Sequence, residues 1–246
     1  MLIALMTLGI FIGFISAFFG VGGGALLVPI LLYIGFDIKE AIGISVMQML
    51  FSSIFGSYLN YKRGLLKPSS TMFIGVGGFC GGLFSGFVVH MLSEKTLMII
   101  FFVTIIFAIV RFFKAPAISG KKSVENIWLF FIIGLFIGVI SMSIGIGGAL
   151  FLTPILVGFL HFDIKKAISA SLFFVVFASI AGFISLASYG YVDFKYGFIV
   201  GILSLFGVYL GINAGSKIGA KKHKNLILVL EFTVLLLILN KLLNGS

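Results

Sequence analysis

The stretch FFGVGGGALLVPIL, residues 18–31, lies inside an apolar run from Met1 to Phe36, and it is poor material for the middle of a membrane helix. Gly20, Gly22, Gly23 and Gly24 each weaken a helix through the backbone freedom they lose on ordering. Pro29 then removes a backbone donor five residues further on. The run is therefore expected to break at the glycines.

The same break occurs twice. GFISAFFGVGGGALLVPIL from Gly13 aligns without a gap on GVISMSIGIGGALFLTPIL from Gly138, so Gly20, Gly22, Gly23 and Pro29 match Gly145, Gly147, Gly148 and Pro154. After a one-residue slip, FDIKEAIGIS from Phe36 matches FDIKKAISAS from Phe162, which pairs Asp37 with Asp163 and Ser45 with Ser171. The chain reads as two halves of one design.

Composition sets the class. Of 246 residues, 61% are hydrophobic and 10% charged, with a mean hydropathy of +1.28. That is more apolar surface than a soluble domain of this length hides, so an all-α, multi-pass membrane protein is expected. The first basic residue is Lys39 and no small-residue cleavage site follows the opening run, so no removable leader is expected. The excess of 17 Lys and Arg over 7 Asp and Glu falls in short gaps between apolar segments, which fits the positive-inside rule and not a nucleic-acid surface. Cys80 has no His or Cys at ligand spacing and reads as a small packing residue. No cofactor or metal is expected.

At about 20 residues per crossing, segments fall near 1–35, 41–60, 69–92, 96–113, 126–160, 167–189, 195–216 and 225–243. This divides the chain into an N-terminal repeat, 1–113, a linker, 114–125, and a C-terminal repeat, 126–246. Trp128 and the tyrosines 33, 58, 61, 189, 191 and 196 fall near segment ends, as an aromatic belt requires. Loop charge addresses the two long segments. If all eight segments cross once, the basic residues split almost evenly. If each long segment breaks and returns to its own side, one side keeps only Lys39, Lys95, Lys195 and Lys241, and the other holds the remaining thirteen of the seventeen. The second arrangement is expected, with the thirteen-charge side cytoplasmic. Each four-segment repeat then has an odd number of net crossings, so the two are inverted.

A hairpin turning inside the bilayer must face protein or a water-filled cavity. The short arms after the glycines, about 25–34 and 149–159, would be half-helices whose N-termini carry unpaired N–H groups and the positive end of the helix dipole. Two such ends brought together make an anion site at the midplane. The candidate binding residues are Gly20, Gly22, Gly23, Gly24, Gly145, Gly147, Gly148 and Ala149, with Ser45, Gln48 and Ser171 as side-chain donors. The competing reading has the clusters serving close helix packing, and the serines bonding neighbouring helices. Packing is the expected role of Gly78, Gly82 and Gly86 and of Gly207, Gly211 and Gly215, each set spaced by four.

Glu231 is the sole carboxylate well inside a segment, so it is either a proton-coupling group or a side chain that snorkels toward, or pairs with, Lys224. His90 and His161 sit at segment ends and read as interfacial. No HExxH, GxSG or paired intramembrane aspartates appear, so no catalytic residues and no enzyme are expected.

The duplicated Gly-x-Gly-Gly with its following proline, and the repeated Ser45 and Ser171, resemble the TauE/SafE family of sulfite exporters and related permeases. YKRGLL (61–66) and SYGYVD (188–193) look like that family's basic-x-Gly and Gly-x-Val-Asp loops. The resemblance spans nearly the whole chain and implies a bacterial or archaeal plasma-membrane protein that moves sulfite, sulfonates or other small organic anions. Two departures mark unequal halves: Ala149 stands where the first cluster has Gly24, and Lys67-Pro68 stands where the second loop has Asp193-Phe194. The expected partners are a small anionic substrate, membrane lipid and a second copy of the chain as a homo-oligomer, with no nucleic acid. An anion channel and a non-transporting membrane subunit are the alternatives to an alternating-access transporter.

Overall fold

The computed structural model describes residues 2–20, 22–66, 68–114 and 126–244, and those residues form helices joined by short turns. Residues 115–125, most of the expected linker, lie outside the described residues. The helices are α1 (Leu2–Phe19), α2 (Gly24–Ile34), α3 (Ile38–Lys62), α4 (Pro68–Gly82), α5 (Ser85–Met91), α6 (Glu94–Lys114), α7 (Ile127–Ser143), α8 (Ala149–Gly158), α9 (Ile164–Ser188), α10 (Phe194–Ser216) and α11 (Ala220–Asn244).

Six stretches are long and apolar enough to cross a membrane: Ile38–Lys62, Thr71–Met91, Glu94–Phe113, Ile164–Ser188, Phe194–Ser216 and Ala220–Asn244. The two long segments are not single rods. Each splits at its glycines into a longer arm, α1 or α7, and a short arm of 11 residues in α2 or 10 in α8. At 1.5 Å per residue a short arm spans about half of a ~30 Å hydrocarbon layer.

Two details differ from the sequence reading. The third segment is interrupted at Leu83-Phe84, where Gly81-Gly82 weakens the helix. There Ser185 Oγ donates to Leu83 O at 2.7 Å and accepts from Gly86 N–H at 2.9 Å, satisfying the interrupted backbone from α9. The sixth helix runs through Lys114, one residue into the expected linker. The one-residue slip of the repeat has a local cause. Gly35 (φ 106°) turns the chain before Phe36, and His161 (φ 60°) occupies the corresponding left-handed position before Phe162, one residue later.

The halves interlock. The first helix α1 packs along α10, and α7 packs along α4, so each leading arm is held mainly by a helix of the other half; α3 lies against α9 and α10, and α6 against α11. In lipid no hydrophobic drive brings helices together, so close backbone approach matters. Missing side chains supply it. A Cβ on Gly207 would strike Ile10 O and Phe14 N, one on Gly13 would strike the Ser204 backbone, and Gly77 and Gly81 sit on the Phe131 and Leu135 carbonyls. Of the two expected packing stripes, Gly82, Gly86, Gly207 and Gly211 meet helix backbone and Gly78 meets the Phe174 ring.

The loops that resemble family motifs have structural duties. Asp193 caps α10, its Oδ1 accepting from Tyr196 N–H at 3.0 Å. Arg63 donates to Ile212 O at 3.0 Å and to Asn213 Oδ1, tying the end of α3 to the end of α10. Tyr33, Tyr58, Tyr61, Tyr189 and Trp128 are exposed near helix ends.

Gly207→Leu is expected to lower the melting temperature in detergent, at an overpacking cost of about 1–3 kcal/mol. Gly219→Leu, at a position with open space around it, is the control. Equal melting temperatures for the two variants would contradict this packing.

A candidate anion site between two glycine turns

The two glycine turns meet. A Cβ on Gly22 would lie 3.5 Å from Ile146 O and 3.6 Å from Gly147 Cα, and a Cβ on Gly147 would lie 3.6 Å from Gly22 Cα. Their backbones match pairwise: φ is 81° at Gly22 and 87° at Gly147, and 79° at Gly23 and 73° at Gly148. These left-handed values are accessible to glycine without steric cost, which explains why consecutive glycines stand here in both halves. Gly20 and Gly145 each pack against the opposite half, Gly20 on Ile168 and Gly145 on Ile42 and Val28.

Each turn delivers the N-terminus of a short arm to this place. Gly23 caps α2 and Gly148 caps α8, neither with a side-chain hydrogen bond. The first N–H groups of each arm have no partner within their helix, and each end carries about half a positive charge from the dipole. Gly20, Gly22 and Gly23 of the first turn and Gly145, Gly147 and Gly148 of the second are buried.

The side chains around them are unequal. In the first half, Gln48 Oε1 would sit 2.7 Å from a Cβ on Gly23, and Ser16 is also in contact. Ser16 Oγ and Ser52 Oγ are 3.5 Å apart. The Gln48 amide is fully buried, and neither its Nε2 nor its Oε1 has a hydrogen-bond partner. In the second half the position matching Gln48 is Phe174, which packs on Gly148 beside Ser141, whose buried hydroxyl is also unpartnered. One half-site is therefore lined by amide and hydroxyl, and the other chiefly by an aromatic ring.

Ser45 and Ser171 differ in the same way. Ser45 Oγ donates across to Gly145 O at 2.8 Å, whereas Ser171 Oγ accepts from Thr153 Oγ1 at 3.0 Å within its own half. The Ser45 bond explains the Gly24 and Ala149 mismatch. A Cβ on Gly24 would collide with Gly145 O and with Ser45 Oγ, while Ala149 is accommodated with its side chain buried.

Two placements go beyond the residues singled out in the sequence. Met49, fully buried, sets its sulfur against both turns, beside Gly147 and 3.4 Å from a Cβ on Gly22. It lies four residues after Ser45, so helical spacing alone puts it on the same face. Ser16 and Ser141 occupy one position of the aligned repeat, a signal present in the quoted sequences but passed over beside the glycines.

Glu231 is fully buried and neither carboxyl oxygen has a hydrogen-bond partner. It does not snorkel, and Lys224 directs Nζ to Phe113 O at 3.1 Å. A cavity of about 10 Å³ separates it from the first turns of α8, lined by Ala149, Leu150, Thr153, Pro154, Phe19, Phe112 and Ile227. Among the described residues no other charged side chain lines that space.

Comparisons with known proteins place the chain in a family of membrane transporters. The family described as sulfite exporter TauE/SafE matches residues 5–238. A probable membrane transporter protein of Methanocaldococcus jannaschii is 28% identical, covering 91% of this chain and 90% of its own. The probable membrane transporter proteins YdhB and YunE of Bacillus subtilis are 26% and 24% identical, covering 89% and 96% of this chain and 88% and 95% of theirs. No solved structure matches. The chain is an integral membrane protein, a transporter and not an enzyme, and it belongs to the sulfite exporter TauE/SafE family.

Proposed function

We propose that the protein is a secondary transporter of the plasma membrane of a bacterium or archaeon. It moves a small anion, such as sulfite, a sulfonate or a related organic anion, by alternating access around the two glycine turns. In this reading the two repeats are inverted about the membrane plane, and the thirteen-charge side faces the cytoplasm. The exchange of leading arms between halves, α1 on α10 and α7 on α4, supports a pseudo-twofold design.

The observation that carries the reading is the Gln48 amide, buried and unpartnered beside Gly23 where the two helix N-termini meet. Leaving such a group unpaired costs about 1–3 kcal/mol, which a hydrogen bond to cargo offsets. With the turns in contact and Met49 packed against both, the arrangement corresponds to a closed state. Cargo is admitted when Met49 swings aside and the turns part. Parting breaks the Ser45–Gly145 bond, and the Ser45 hydroxyl then turns to the anion. Backbone N–H groups of Gly22 to Gly24 and Gly147 to Ala149 hold the charge, with Ser45, Gln48 and Ser171 completing the donors. Among the described residues no lysine or arginine enters the site, so affinity stays moderate and the cargo is released.

Glu231 supplies coupling in this scheme. An ionised carboxylate beside the start of α8 competes with the anion for the same positive helix end, so the anion travels with a proton on Glu231.

Purified protein in proteoliposomes is expected to show saturable, trans-stimulated flux of one or more of sulfite, thiosulfate, taurine and lactate. Gly147→Val, which places a side chain on Met49 at a positive φ, abolishes it in protein that remains monodisperse. Well-folded wild-type protein without flux for any anion would move the assignment to a non-transporting subunit, and non-saturable flux to a channel.

Gln48→Ala is expected to raise the KM about tenfold or more, the worth of a hydrogen bond to a charged group, whereas an unchanged KM removes Gln48 from the site. Glu231→Gln is expected to abolish acceleration of flux by an imposed proton gradient. Persistence of that acceleration would refute the coupling role.

A further inference from the structure

Arg111 stands apart from everything assigned above. It lies near the end of α6, its guanidinium carbon 3.6 Å from the centre of the ring of Phe159, the residue that follows α8. Its Nε is buried without a hydrogen-bond partner, and the ion pair found among the described residues, Lys166 with Asp163, does not involve it. A guanidinium stacked on a ring keeps its N–H edge available for a planar, two-oxygen acceptor such as phosphate.

Below it runs an apolar groove between α6, α7 and α8. The part nearer the helix ends has a volume of about 420 Å³ and is lined by Leu129, Ile133, Ile155, Phe159 and Leu160. A neighbouring cleft of about 280 Å³, between Val103, Phe107, Ile137 and Phe151, shares Ile155 with it. Thr104, the one polar side chain on that wall, spends its hydroxyl on Ile100 O. Thr104, Phe107 and Arg111 are spaced three and four apart, so the charge and the groove share one face of α6. The other half closes the corresponding edge. Tyr33, three residues before Phe36 as Phe159 is before Phe162, donates to Leu237 O at 3.1 Å and bridges α2 to α11.

We infer that this groove is a binding site for an anionic phospholipid, its phosphate on Arg111 and one acyl chain along α8. Two adjoining apolar clefts, with a cation unpaired among the described residues stacked on the Phe159 ring at one end, match the two parts of such a molecule. A phosphatidylcholine offers the same tails, but its choline opposes the guanidinium. The inference is independent of the anion site, although α8 forms a wall of both.

The test is native mass spectrometry of the full-length protein in detergent, titrated with dioleoyl phosphatidylglycerol, dioleoyl phosphatidylcholine or glycerol phosphate. Phosphatidylglycerol is expected to bind one site preferentially, and Arg111→Gln to weaken it about fivefold, the effect of one basic residue at a lipid surface, while leaving phosphatidylcholine unchanged. Ile133→Trp, which fills the groove, is expected to weaken both lipids, and glycerol phosphate is expected not to compete. Equal binding of the two lipids, or undiminished phosphatidylglycerol binding by folded Arg111→Gln, would overturn the assignment. Competition by glycerol phosphate would instead reveal a free-phosphate site. Should Arg111→Gln fail to fold, undiminished phosphatidylglycerol binding by Ile133→Trp overturns it equally.

Discussion

The backbone contact between Gly22 and Gly147 is the constraint on which the rest of the structure depends. Two chain reversals must be accommodated at a depth where lipid cannot satisfy their backbone groups, and each is tolerated because the other half covers it. That requirement accounts for the left-handed glycines, for the absence of side chains at the contact, and for the interlock in which α1 is held by α10 and α7 by α4. It also accounts for the cross-half bond from Ser45 to Gly145 O, which gives the second turn's carbonyl a donor.

Symmetry in the backbone is paired with asymmetry in the side chains. Gln48 faces one turn and Phe174 the other; Ser52 is matched by Ala178, and Glu231 stands beside α8 where Leu230 to Leu237 supply no second carboxylate to α2. A strictly duplicated site would hold a symmetric ligand equally from both sides. In the proposed reading, its polar wall and apolar wall suit an anion that presents its oxygens to Gln48 and any apolar substituent to Phe174.

Much of this was legible in the sequence because glycine and proline act locally. The two breaks, the eight-segment plan and the packing stripes all follow from residue type and spacing, and the structure places those helices within a few residues of the expected bounds. What was not legible depends on contacts between distant residues. The interruption at Leu83-Phe84 is satisfied by Ser185, about a hundred residues away, and nothing near Gly82 announces it. The choice between a pairing and an isolated Glu231 turned on where Lys224 points, and Lys224 reaches the end of α6. Met49 was hidden for a different reason: a methionine in an apolar helix has the same local signature whether it fills a core or packs against two turns.

The central claim is that the region between the glycine turns opens to each side of the membrane in turn. The most direct measurement places a single cysteine at Met49 in a Cys80→Ser background and follows its modification by a membrane-impermeant thiol reagent. The reagent is applied to either face of oriented membranes, with and without sulfite. The account predicts slow labelling from both faces, through openings that alternate, with protection by the transported anion. A cysteine that no reagent reaches from either face, in protein that still carries out flux, would contradict it.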